Sequence, residues 1–215
     1  MAHRGRGRTE PSEGDGPPER PESWDERYAA VERLFSSEPD PALVELATPL
    51  RPGRGVDLGA GEGRNSLWLA RQGWEVTAVD GSAVALQRVQ AGAAAARLRV
   101  VTVRADIGEF LSLGERYDLI VIANIHPEPE QRAAMLQDAA RAVRPGGHLL
   151  LVGHHLDSLG SEGPSDPARL YTEEVLRDAL PGLRTLLLER RQRSHGSDTS
   201  EPRIDVVLWA EAPEG

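Results

Sequence analysis

Three glycines, Gly59, Gly61 and Gly63, alternate with Ala60 and Glu62 between a short apolar run ending in Asp57 and the segment Ser66–Gln72. The run reads as a buried strand, and Ser66–Gln72, with Gly73 just past its end, reads as a helix. Glycine takes positive φ freely and presents no Cβ, so such a strand-to-helix turn can bend tightly and approach a ligand closely. Asp80 stands 23 residues after Asp57, at the end of the next strand. That is near the spacing of about 20 residues that puts an acidic side chain at the second strand tip, on ribose hydroxyls; a carboxylate can accept two O–H hydrogen bonds at once. His126, His154 and His155 fall where strands reach the edge at which open α/β sheets bind ligands. Histidine is the side chain best suited to move a proton near neutral pH. With Asp157 these histidines raise a metal site, but their spacing fits no standard pattern and a strand points His154 and His155 to opposite faces.

Composition removes several chemistries. The 215 residues contain no cysteine and no lysine, which excludes thiolate nucleophiles, disulfides and Schiff-base catalysis, and all 25 basic residues are arginine. A net charge of −9 argues against a nucleic-acid partner, since phosphate-binding proteins carry a basic face. No apolar run approaches the ~18 residues of a membrane span, and the N-terminus lacks the apolar core of a signal peptide. The expectation is a cytoplasmic protein with no membrane partner. Its length suits one α/β domain.

The elements that must carry these residues can be placed in order. Residues 1–22 mix Arg4, Arg6 and Arg8 with acidic residues and prolines and read as a disordered tail, leaving a domain over 23–212. Trp24, Tyr28, Val31, Leu34 and Phe35 recur at helical spacing behind a Ser23 cap, and a second helix begins at Asp40-Pro41. Strands follow at Glu75–Val79, Leu98–Val103 and Tyr117–Ala123, the last nearly continuous in apolar residues as a central parallel strand is. Helices are expected at Ser82–Ala96 and Glu128–Val143. Pro145-Gly146-Gly147 closes the latter and opens a fifth strand, His148–Val152, ending at Gly153-His154-His155. A Gly/Ser/Pro-rich loop over 157–169 has the length of a substrate lid. Thr172 caps a further helix, and Leu183–Arg193 and Ile204–Ala210 read as a terminal strand pair. Arg190, Arg191 and Arg193 on that pair either attract an oxyanion or discourage edge pairing.

The glycine turn does not fit the dinucleotide fingerprint G-x-G-x-x-G, because Arg64 stands where a small residue is needed. It resembles instead motif I, D-x-G-x-G-x-G, of class I S-adenosylmethionine (SAM) methyltransferases, on Asp57, Gly59, Gly61 and Gly63. Asp80, Asp106-Ile107 and Arg144-Pro-Gly-Gly-His-Leu follow in that family's order, over roughly residues 24–211. The run Gly61-Glu-Gly-Arg-Asn-Ser-Leu-Trp-Leu-Ala70 is similar to the TehB, tellurite-resistance group. So is His195 followed eight residues later by Arg203-Ile204, though Gly196 departs from the group's Arg.

The resemblance implies a three-layer Rossmann-like α/β fold with a seven-stranded, mostly parallel sheet and a C-terminal antiparallel hairpin. It implies SAM as cofactor, held by Asp57, Gly59, Ala60, Gly61, Arg64, Asn65, Asp80, Gly81, Asp106, Ile107 and Asn124, with Tyr28 as either lid or core. It implies in-line methyl transfer to a small-molecule acceptor by a monomer or homodimer, with His154, His195, His126 and Arg203 as candidate catalytic residues and no metal. A SAM-binding module without transfer is the competing reading; the nicotinamide oxidoreductase reading is disfavoured by Arg64.

Overall fold

The computed structural model describes residues 23–161, 163–193 and 203–214. Its strands are β1 (Arg54–Leu58), β2 (Glu75–Asp80), β3 (Val100–Arg104), β4 (Tyr117–Ala123), β5 (Val143–His154), β6 (Arg184–Arg193) and β7 (Arg203–Glu211). They form one sheet in the order β3-β2-β1-β4-β5-β7-β6. β1 to β5 run parallel, and β7 lies antiparallel between β5 and β6. The helices are α1 (Trp24–Ala29), α2 (Pro41–Ala47), α3 (Arg64–Arg71), α4 (Ala83–Ala95), α5 (Ile107–Leu111), α6 (Pro129–Ala142) and α7 (Glu173–Leu176).

β4 explains the two-sided core. Ile120 and Ile122 face one layer with Leu136 and Ala139 of α6, while Leu119 and Val121 face the other with Leu43 of α2 and Leu69 of α3. All are buried, as the inner strand of a sheet covered on both faces requires. Chain order reverses between β1 and β4, and that crevice is where such sheets bind ligands.

Three expectations need correction. The first helix stops at Ala29, and Val31 to Phe35 do not continue it. There the backbone is taken by remote partners. The Arg88 guanidinium donates to the Tyr28 and Val31 carbonyls, and the Glu62 carboxylate accepts the Leu34 and Phe35 N–H groups at 3.0 Å. The fifth strand starts at Val143, not His148, and runs through Pro145-Gly146-Gly147 with a register shift opposite Tyr117 and Leu119. Gly146 has φ +72°, and a Cβ on Gly147 would lie 3.0 Å from the Asp118 carbonyl oxygen, so only glycines allow the irregular strand. Finally, α3 begins at Arg64, two residues earlier than expected.

The expected disordered tail, residues 1–22, and candidate His195 lie outside the described residues. Among the described residues no helix is long and apolar enough to cross a membrane.

Candidate active site

A cavity of about 820 Å³ opens along the carboxyl edge of the sheet, lined by the glycine turn at one end and by β5, β7 and β6 at the other. The turn is bolted in place from outside itself. Gly59 and Gly61 have φ of +69° and +53°. The Asp80 carboxylate accepts the Gly61 N–H through one oxygen and the Ser82 N–H through the other, both at 2.8 Å. Ala60 donates to the Val79 carbonyl. Asp80, Gly81, Ala60, Gly59 and Gly61 all line the cavity.

Two residues of the turn serve the fold rather than the cavity wall. Asp57 lies buried beneath the turn, where its carboxylate accepts the Ser66 hydroxyl at 2.6 Å and so ties β1 to α3. Burial raises its pKa to about 6, against the opposing effect of the Ser66 bond. Gly63, with φ +83°, abuts Val89 of α4, and a Cβ there would stand 2.8 Å from that side chain.

Arg64 and Asn65 line the cavity but also anchor its roof. The Asn65 side-chain oxygen accepts the Asp40 N–H at 2.9 Å, and the Arg64 guanidinium lies 3.8 Å from the Asp40 carboxylate. The roof itself is the segment from Trp24 to Asp40. Its Tyr28 is 4% exposed, lines the cavity, and places its hydroxyl beside Gly61. Burial, then the nearby Asp80 and Glu62 carboxylates, raise the Tyr28 pKa. Asp25 secures the near end by accepting the Ser82 hydroxyl and the Val84 N–H. Glu62, Arg88, Asp25 and Asp40 were not anticipated from sequence. Their partners are 25 to 60 residues away, so no local pattern carries them.

Asp106 caps α5 by accepting the Gly108 and Glu109 N–H groups through one oxygen, and it lines the cavity with Ile107. Asn124 also lines it, in a left-handed conformation at φ +59°. Its side-chain oxygen is buried and is the one such atom among the described residues with no hydrogen-bond partner. A buried orphan acceptor costs roughly 1–3 kcal/mol, which a ligand donor would relieve. This orphan, the two left-handed glycines and the carboxylate at the β2 tip fit the cofactor that the resemblance implies.

Of the candidate catalytic residues, His154 is on the cavity wall. Its Nδ1 lies 3.0 Å from the buried Asp205 carboxylate of β7. His126 stands behind it, ring-stacked at 4.7 Å, and its Nε2 accepts the His154 backbone N–H at 2.9 Å. Burial, with His154 adding to it, lowers the His126 pKa to about 3. That hydrogen bond and the ring stack tie His126 to His154. Arg203 opens β7 in register with Arg193. His155 faces away from its neighbour, accepting the Asp157 N–H through Nδ1 and meeting Glu173 through Nε2. Arg190 is held by Glu173 and Asp157, and Arg191, on the cavity wall, by Glu45 and Glu189. Among the described residues no group of three or more acidic or histidine side chains is arranged to hold a metal.

Residues 56–147 match a family of methyltransferase domains. Ribosomal RNA small subunit methyltransferase C of Alcanivorax borkumensis is 32% identical over 109 residues, 48% of this chain and 33% of that protein. A probable S-adenosyl-L-methionine-dependent methyltransferase TehB of Haemophilus influenzae is 28% identical over 112 residues, 51% of this chain and 39% of that protein. The chain thus spans well under half the length of these curated relatives. The crystal structure of Haemophilus influenzae TehB superposes with a TM-score of 0.66 at 22% identity, covering 80% of this chain and 61% of that one. Residues 56–147 thus match the methyltransferase-domain family, and the sheet order and glycine turn give the chain the fold seen in the TehB structure.

Proposed function

We propose that residues 23–212 form a domain that transfers the methyl group of SAM to a small-molecule acceptor. The observation that carries this reading is the orphaned Asn124 oxygen in the same cavity as the glycine turn and Asp80. The turn and Asp80 fall on the cofactor side, and His154 and Asp205 on the side left for an acceptor. SAM, when bound, supplies an electrophilic methyl on a sulfonium. The chain's own task is to hold a nucleophile in line with that methyl in a cleft shielded from water. Gly59 and Gly61 admit the cofactor to backbone contact, Asp80 offers lone pairs to ribose hydroxyls, and Asp106 with Ile107 faces the adenine end. The Tyr28 roof excludes water.

The net charge of −9 supports a small acceptor over nucleic acid. Calorimetric titration with SAM, followed by incubation with labelled SAM and a panel of metabolite-like acceptors, tests the reading. Binding with transfer to any member supports it. Absence of SAM binding ends it.

A further inference from the structure

The end of the cavity away from the glycine turn has an apolar floor. Ala123 of β4 pairs with Val152 of β5, and Val152 pairs with Val207 of β7. The three stand side by side in one row across adjacent strands, and all line the cavity. Neighbouring strands lie about 4.8 Å apart, which makes the row roughly 10 Å long. All three pack with the core on the α2 face of the sheet, and Val152 and Val207 are buried. The row begins at Ala123, next in the chain to Asn124, so its inner end adjoins the cofactor half as assigned above.

Two residues further along β5 and β7 the same face turns polar. His154 is in register with Asp205, and Asp205 with Arg191, and these three also line the cavity. The rim has bonds of its own: His154 Nδ1 lies 3.0 Å from Asp205, and Arg191 meets Glu45 and Glu189. Recognition is therefore sought in the floor rather than in the rim. Pro41 and Ala42, which open α2, line the cavity as well. Ala42 shares its apolar core with Val152 and Val207, and the Arg191–Glu45 bridge joins β6 to α2 at 2.6 Å. Floor and flank of this slot thus belong to the packed interior, and packing holds their spacing.

Such a slot selects by shape and by hydration. A flat ring laid along the row covers apolar surface at little conformational cost, because the ring is already rigid. An oxyanion gains nothing from the row and gives up its water against it. Size points the same way. The cavity, at about 820 Å³, lies in the upper part of the range of about 300–1,000 Å³ for small-molecule sites. Shared with a cofactor at its other end, it still has room for an acceptor of more than a few atoms.

We propose that the acceptor is an uncharged, planar aromatic or heteroaromatic molecule of about two fused rings, the length of the Ala123–Val152–Val207 row. It lies on that row with a ring-borne hydroxyl, amine or thiol turned to the SAM methyl, and Val152 and Val207 set its width. The inference rests on the methyl-transfer reading above. The ring heteroatom forms its bond to the methyl carbon as the carbon–sulfonium bond breaks and leaves its electron pair on sulfur as a neutral thioether. The proton of the heteroatom goes to water.

The test reads binding first. Wild type and Val207→Leu, each saturated with the demethylated cofactor S-adenosylhomocysteine, are titrated by calorimetry with phenol, 2-naphthol, selenite and tellurite. In the wild type 2-naphthol should bind about tenfold or more tighter than phenol, through the added apolar contact. It should also shift the Val152 and Val207 methyl signals in a ¹³C-methyl NMR spectrum, through the ring current. The extra methylene of Val207→Leu should weaken 2-naphthol about tenfold and phenol less than threefold, with cofactor affinity unchanged. Labelled SAM should then methylate 2-naphthol, 2-naphthylamine or 2-naphthalenethiol, the three arms telling oxygen, nitrogen and sulfur apart. Phenol bound as tightly as 2-naphthol, 2-naphthol bound without moving either valine signal, or transfer to selenite, tellurite or an alkyl thiol with none to the naphthyl acceptors overturns the inference. Failure of the wild type to bind SAM, or to methylate any acceptor, strikes the methyl-transfer reading instead. If Val207→Leu does not fold, the wild-type affinities and valine signals decide.

Discussion

A Cβ on Gly61 would stand 2.9 Å from the hydroxyl oxygen of Tyr28. The roof of the cavity therefore closes onto the glycine turn itself, and the two cannot vary independently. Gly61→Ala forces a Cβ into a left-handed residue, at about 1–2 kcal/mol, and pushes Tyr28 away. Calorimetry should read a fall in SAM affinity of about tenfold or more. Tyr28→Ala in the same background should recover part of the lost stability, because the clash is removed, but not the affinity.

Asn124 does two things that substitution separates. Its backbone sits at φ +59° and its side-chain oxygen has no hydrogen-bond partner among the described residues. Asn124→Gly keeps the conformation and deletes the acceptor. The apoprotein should melt within a degree or two of wild type, while SAM binding weakens roughly threefold to tenfold, the worth of one hydrogen bond. Asn124→Val should lower the melting temperature as well, since a β-branched residue resists that φ.

The roof is fastened chiefly by Glu62 and Arg88, 2.7 Å apart. Burial alone would raise the Glu62 pKa, but the Phe35 and Leu34 N–H groups and Arg88 outweigh it and the carboxyl titrates below its ordinary value. Arg88→Ala frees the Tyr28 and Val31 carbonyls as well as Glu62. Limited proteolysis should then cut within residues 31–39 several times faster than in wild type, and added SAM should slow the cleavage.

Two buried groups give opposite pH trends in stability. The folded-state pKa of His126 is lowered from 6.5 to about 3, so the unfolded chain binds a proton first. The stabilisation is present above 6.5 and lost as pH falls toward 3. Asp57 is raised from 3.8 to about 6, so its contribution is present below 3.8 and lost as pH rises through 6. Urea midpoints measured from pH 4 to 7 should rise less steeply with pH in His126→Gln than in wild type. In Asp57→Asn they should rise more steeply.

Much of the fold was legible because it is written locally. The apolar run Tyr117–Ala123 matches β4 residue for residue, and the Ser23 and Thr172 caps mark helix starts as expected. The cavity-lining part of the glycine turn, Asp80 and Asp106 were legible because their spacing along the chain fixes their place on the sheet edge. Errors arose where a distant group overrides local pattern. The periodicity of Val31, Leu34 and Phe35 is genuine, yet Glu62 and Arg88 claim that backbone. The bond from the Ser66 hydroxyl to the buried Asp57 carboxylate, which ties β1 to α3, is likewise a contact that the motif itself does not announce. Asp205 had a faint signal, a lone carboxylate entering the apolar run Val206-Val-Leu-Trp-Ala210, but nothing in sequence pairs it with His154, 51 residues earlier.

The order β5-β7-β6 has a consequence for how the molecule is put together. β6 touches the sheet only through β7, so it has no edge to join until the chain beyond it has been made. On a ribosome the cofactor side, from β1 to β4, is complete some eighty residues before Asp205 emerges, roughly 4–16 s of synthesis at 5–20 residues per second. The nascent protein can thus build its cofactor wall before its acceptor wall exists, and the insertion of β7 assembles the His154–Asp205 pair in a single late step.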